Sequence, residues 1–308
     1  MSKLKLSDLK TSVPFLEECE DWRRIEKGYS DDEKYIVTHA ESKQKALLKL
    51  FKISDYTAKQ TEYEILYHMK QLDVKCSRPL DFGKLHNVDK GYMLLTYIEG
   101  DDASDELPNC SEEEQYRIGL EAGEQLRKMH QLHAPIHLSS WYDRFYPKQK
   151  HYIETYKACG VRLEHDSRLI SFIEAHLPLA KQRPNLFQHD DFHVGNLVIQ
   201  DRKLAGVIDF NRFDWGDPIH EFLKVGMFSS EVSIPFSKGQ IAAYHQHQEP
   251  DESFWKLYSL YLAMCMFSSV VWILKVKPDE LSQMVDKVNR VLDDHDYFTS
   301  IQPSWYNK

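Results

Sequence analysis

The chain changes character at "EGDDASDELPNC", residues 99–110, and this switch constrains its fold more than any other feature. Before it, apolar residues come in short runs bounded by polar turns. "YIVTHA", "KALLKLF", "SRPLDFGKL" and "GYMLLTYI" read as strands, with a turn near residues 87–90. One helix is predicted over residues 56–72, where Ile65, Leu66 and Met69 recur at helical spacing. After the switch the pattern is mostly helical, with helices predicted near residues 111–133, 147–158, 165–179, 217–227, 238–247, 252–274 and 278–293. Ser111 and Glu114 form a capping box, and Ser237 with Gln240 and Pro278 mark two further starts. Gly119, Ala122 and Gly123 share a side of the first long helix, where a neighbouring helix can approach closely. The exception is 186–210, a loop and short hairpin: "NLVIQ", turn "DRK", "LAGVID". The expectation is an α+β protein: a small antiparallel-sheet lobe with one helix (residues 1–98), a hinge (99–110) and a larger, mainly helical lobe (111–308).

Composition narrows the partners. With 308 residues, 42% hydrophobic and 28% charged, two lobes with a sizeable core are expected. A net charge of −9 argues against a nucleic-acid partner and suits a cationic small molecule. Five scattered cysteines without a CxxC pair predict no thiolate zinc site and a reduced, cytoplasmic protein. "MSKLKLSDLK" lacks the apolar core of a signal peptide. Residues 257–274 carry no charge and reach the lower length limit of a spanning helix. They also hold Tyr258, Ser259, Tyr261, Ser268 and Ser269, so a buried helix of the second lobe is expected and no membrane partner. Monomer and homodimer both stay open.

The chemistry concentrates in "HDDFHVGN", residues 189–196. His189, Asp191 and Asn196 fit His-x-Asp-x-x-x-x-Asn, and thirteen residues later Asp209 ends an apolar strand in "IDF". Phosphoryl transfer to a hydroxyl needs such a set: one carboxylate to accept the proton, an amide oxygen and a second carboxylate to hold Mg²⁺. A polar turn with capping aspartates is the plainer alternative, but the matched strand ending at Asp209 makes it the minor one. Lys49 lies within the apolar run "KALLKLF", and Glu62 shares the helical face of Ile65, Leu66 and Met69. An inward glutamate requires a cationic partner, and Lys49 is the natural one; Glu64 falls toward His68 instead. Taken alone, "IEKGYSDDEKY" reads as a plain β-turn; beside the other pieces, Gly28 and Ser30 suit a turn lying over phosphates, although Asp31 and Asp32 fit there only if they face solvent.

With these pieces, and with "GVIDFNRFDWGDP", "LLKLF", "YIEGDDA" and "IGLEAGEQLRKMH", the chain resembles the aminoglycoside phosphotransferase and choline kinase family from about residue 22 to 222. That resemblance implies a two-lobed protein-kinase-like fold and transfer of the γ-phosphate of ATP or GTP. It makes Asp191 the catalytic base, Asn196 and Asp209 the Mg²⁺ ligands, and Lys49 with Glu62 the phosphate-anchoring pair. It sets the backbone of Tyr97 and Ile98 against the nucleobase with Thr96 behind. His189 and His193 would brace the loop, and Asp217 would tie down the following helix.

The chain departs from the family pattern where Asp190 and Asn211 stand in place of a common glycine, and in a phosphate loop with one glycine and two acids, which leaves ATP and GTP both open. Asp190, Asp214 and Glu221 are acidic candidates for binding a cationic acceptor. An aminoglycoside is the expected acceptor, with choline, amino sugars and methylthioribose as alternatives. Two rival readings are a metal-dependent hydrolase using the clustered histidines and aspartates, and a kinase-like binding module without activity.

Overall fold

The computed structural model describes residues 6–26, 31–86 and 88–307. The chain forms two compact units: residues 1–100 with 205–211, and residues 101–204 with 212–308.

The first unit opens with a short helix, α1 (Leu6–Ser12), and a 3₁₀ turn, then runs through β1 (Cys19–Ile25), β2 (Glu33–His39), β3 (Lys45–Lys52), α2 (Tyr56–Gln71), β4 (Pro79–Lys84) and β5 (Lys90–Thr96). The strands form one antiparallel sheet in the order β1-β2-β3-β5-β4. Side chains alternate across a strand, and in β3 that alternation separates two environments. Leu48 and Leu50 join Leu9, Val13, Leu16, Val37 and Leu94 in a core on one face. Lys49 points the other way, toward the side where α2 buries Glu62, Ile65, Leu66 and Met69.

In the second unit, β6 (Asp101–Asp102) leads into α3 (Ala103–Glu106), α4 (Glu112–Met129), α5 (Trp141–Ala158) and α6 (Asp166–His176). β7 (Leu186–Gln188), β8 (Leu197–Gln200) and β9 (Lys203–Val207) follow, and β9 carries the chain into the segment that clusters with the first unit. Asp201 and Arg202, joining β8 to β9, both have positive φ (51° and 60°), which suits the right-handed twist of a two-residue hairpin. β10 (Asp214–Gly216), α7 (Ser230–Val232), α8 (Ile234–Tyr244), α9 (Glu252–Val276) and α10 (Leu281–Asp294) complete the unit. β10 pairs with β7, and β6 with β8.

Ser111 and Glu114 make the expected capping box of α4. The helix approaching Gly119 and Gly123 is α8: a Cβ on Gly119 would lie 2.1 Å from Phe236 O, and one on Gly123 2.2 Å from Gln240 O. Several expected boundaries move, among them the start expected at Pro278, which is a 3₁₀ turn ahead of α10 at Leu281. α8 begins at Ile234, capped by Ser233, whose hydroxyl accepts from Phe236 N, with Pro235 in the first turn. Ser237 instead donates to Ser233 O from inside the helix. α5 starts at Trp141, capped by Ser140, and carries Pro147 within it. Residues 217–227 are not one helix but a 3₁₀ turn, Pro218–Phe222, followed by a π-helical turn, Val225–Ser229. α9 is long and apolar enough to cross a membrane by composition, yet 67% of its most apolar window is buried within the protein. It packs against α5, α6 and α10 as the core helix of this unit. Burying a leucine such as Leu260 fully contributes about 1.5–3 kcal/mol.

Candidate active site

The singled-out residues divide between the units. The first holds Lys49, Glu62, Thr96, Tyr97, Ile98 and Asp209; the second holds Asp190, Asp191, Asn196, Asp214 and Glu221. Gly28 and Ser30 lie outside the described residues.

In the first unit, Lys49 Nζ donates to Glu62 Oε1 at 2.8 Å, with both side chains almost wholly buried. Burial opposes the lysine's charge, but the Glu62 and then Asp209 carboxylates outweigh it, so the ammonium titrates above an ordinary lysine. Glu62 suffers the same burial; Lys49 and Lys59 overcome it and hold the carboxyl below its usual value. Lys59 reaches Glu62 Oε2 at 3.3 Å and also bonds Asp32, while Asp31 bonds Lys52 at 2.9 Å. Asp31 and Asp32 are thus both bound to lysines. At the end of β5, Thr96 Oγ1 accepts from Arg78 N and Tyr97 N donates to Lys45 O. The Asp209 segment docks nearby: Val207 N donates to Lys75 O at 2.8 Å, and Gly206 lacks the Cβ that would meet Ile98 Cδ1 at 2.7 Å. Asp209 is left-handed (φ 67°), and its Oδ1 is buried without a hydrogen-bond partner.

In the second unit, the loop after β7 is drawn around Asp191. Asn196 Nδ2 donates to Asp191 O (2.9 Å) and Oδ2 (3.2 Å), which turns its amide oxygen away from the aspartate. His193 accepts from Gly195 N through Nδ1, and its Nε2 lies 3.5 Å from Asp191 Oδ1. Lys224 Nζ donates to that same oxygen at 2.8 Å. Burial would raise the Asp191 carboxyl, but His193 and Lys224 reverse this and hold it far below the ordinary range.

Glu221 is 1% exposed and accepts from the backbone N–H of Asp190 and Phe192, both at 3.2 Å. Its contacts are those of a brace for the loop, not of an open acidic subsite. Asp214 is bound to Arg144 at 3.0 Å. Asp217, fully buried, accepts from Arg183, Ile219 N and Tyr261, and so ties the turn to α9. Asp190 has φ 60°, a left-handed angle that glycine adopts freely and aspartate tolerates. Its carboxylate keeps 27% exposure and lies 3.6 Å from His220 Nδ1. Lys224 is the residue that sequence reasoning passed over. Its one signal is a charge inside the apolar stretch "FLKVGMF".

Fold and motifs together are those of a small-molecule kinase. Over residues 21–258 the chain matches the phosphotransferase enzyme family (APH) and belongs to it. No curated protein sequence matches the chain. Solved structures similar in fold include the streptomycin–ATP–APH(2″)-IIa ternary complex (17% identity, 99% of each chain covered, TM-score 0.64). The GDP complex of wild-type aminoglycoside 2′-phosphotransferase-IIIa is similar at 14% identity, over 92% of this chain and 96% of that one, with a TM-score of 0.67. A thermostable mutant of aminoglycoside phosphotransferase APH(4)-Ia is similar at 13% identity, over 94% and 98%, with a TM-score of 0.67. Membership of this family displaces the metal-hydrolase reading. Among the described residues no group of three His, Cys, Asp or Glu side chains is placed to hold a metal ion.

Proposed function

We propose that the protein transfers the γ-phosphate of ATP or GTP to a hydroxyl of a small acceptor, with Mg²⁺ as cofactor and Asp191 as the base. The observation that carries this reading is the Asp191 carboxylate, kept ionised and held in hydrogen bonds to Asn196 and Lys224. A carboxylate so fixed orients the acceptor hydroxyl and receives its proton. Lys49, anchored by Glu62, presents a permanent cation to nucleotide phosphates, and residues 96–98 border the base. Because Tyr97 N–H is bonded to Lys45 O, Tyr97 would offer its carbonyl there.

The donors suit magnesium. Asn196 would present its amide oxygen, and Asp209 a buried carboxylate oxygen with no hydrogen bond of its own. A bound Mg²⁺ would supply charge neutralisation to the phosphate oxygens. In this reading residues 1–98 with the Asp209 segment form the nucleotide lobe, and the helical lobe carries the acceptor site. An aminoglycoside is the first acceptor to test, since similar folds are known with streptomycin and ATP. Asp190 and Asp214 are the nominated acids that keep exposed side chains to meet it. Choline, amino sugars and methylthioribose are the alternatives.

The test is a nucleotide-consumption screen, with ATP and GTP, over aminoglycosides, macrolides, choline and sugars. Wild type should turn over one class. Asp191→Asn should bind nucleotide normally and lose at least about 100-fold in kcat. A fully active Asp191→Asn would sink the assignment, and nucleotide binding without any transfer would favour a binding module.

A further inference from the structure

Asp191 is contacted by a lysine from a distant segment, 33 positions along the chain. The Lys224 side chain is part-buried, and the carboxylates of Asp191 and Asp190 more than offset the loss of solvation, so it stays an ammonium. The backbone that aims it is irregular. Lys224 immediately precedes the π-helical turn Val225–Ser229, a distortion frequent at functional sites. Two features hold that turn. Arg290 of α10 donates to Gly226 O (2.9 Å) and Met227 O (3.0 Å). Gly226 admits α9, since a Cβ there would lie 2.5 Å from the Tyr258 hydroxyl. The Phe228 ring of the same turn then packs against both Lys224 Nζ (5.5 Å) and the His193 ring (5.0 Å).

We propose that Lys224 is a positioning residue of the transfer step: its ammonium occupies Asp191 Oδ1, so that Oδ2 is the oxygen presented to the acceptor hydroxyl. The assignment rests on Asp191 being the base. With Oδ1 taken by Lys224 and flanked by His193, the carboxylate cannot rotate without breaking a charge-assisted bond. Asn196 uses one lone pair of Oδ2 and leaves the other for the hydroxyl. Losing this constraint leaves the base chemically intact but misaligned, and a misplacement of about 1 Å costs on the order of 100-fold in rate.

The test compares Lys224→Met, Lys224→Arg, Asp191→Asn and the Lys224→Met/Asp191→Asn double variant. Each is assayed for phosphoryl transfer to the acceptor found in the screen, or to water as slow hydrolysis of Mg·ATP and Mg·GTP. Nucleotide affinity and thermal unfolding are measured alongside. Lys224→Met should lose about 30- to 100-fold in kcat, with nucleotide Kd unchanged and a cooperative melt retained. Lys224→Arg should recover part of the loss. In the Asp191→Asn background, Lys224→Met should cost nothing further, because its effect passes through Asp191. Wild-type kcat in Lys224→Met, or independent losses that multiply in the double variant, would overturn the role while leaving Asp191 as the base. Full activity in Asp191→Asn would overturn the base itself. Failure of wild type to transfer phosphate to anything, water included, would remove both.

Discussion

At Asp190 a single backbone angle and a part-buried carboxyl set terms that no neighbour in sequence announces. Burial pushes its pKa up to about 7; Lys224 and Lys148 oppose the rise, while Glu221 and Asp214 add to it. An unfolded aspartate ionises near 3.9, so the folded state holds more protons between that value and 7. Stability from this group is therefore complete below about pH 4 and is lost as pH rises toward 7. Asparagine keeps the left-handed preference and removes the charge. Asp190→Asn should stabilise the protein by on the order of 2 kcal/mol at pH 8 and hardly at all at pH 4, read as urea midpoints; an equal shift at both would refute the account. At this scale the sequence was partly readable. Helix periodicity turned Glu62 toward the sheet, and Lys49 is bonded to it. Lys224 beside Asp191 was not readable, because the π-helical turn breaks the periodicity that would have shown which way the lysine points.

At the scale of elements, short-range physics carried most of the pattern. Alternation marked the strands, and Ser111 with Glu114 marked the start of α4. It misled at α8, where Ser237 and Gln240 imitate a capping box but Ser233 and Pro235 begin the helix. The glycine side of α4 was the more informative feature. Gly119 and Gly123 lie against α8 backbone, and Gly239 of α8 returns the contact, its Cβ position 2.2 Å from Tyr116 O. Backbone cannot yield as a flexible side chain can. Gly119→Ala should therefore force the helices apart and cost about 3 kcal/mol, at the upper end of overpacking penalties, despite alanine's better helix propensity. Chemical denaturation measures it, and an unchanged midpoint would show that α4 and α8 separate freely.

For the whole molecule, the proposed co-substrate makes its own prediction. A ligand that binds only the native state adds about 2.7 kcal/mol at one hundred times its Kd. Mg·ATP or Mg·GTP should therefore raise the melting temperature, and the preferred nucleotide should raise it more at equal concentration. Chelating the metal, or replacing Lys49 with methionine, should abolish most of the shift. A shift that survives both would mean the nucleotide binds elsewhere.

The family, the passage from strands to helices near residue 100, and the motifs around Asp191 and Asp209 are all legible in the order of the amino acids. These follow from local spacing and backbone preference, which act within a few residues. Folding in three dimensions was needed to bring Lys224 to Asp191, to make Glu221 a brace for the loop, to set Asp190 left-handed beside His220, and to lay α8 on the glycines of α4. Each depends on segments brought together across tens of residues. There, burial and the filling of close-packed space choose the partners, and local periodicity carries no record of the choice.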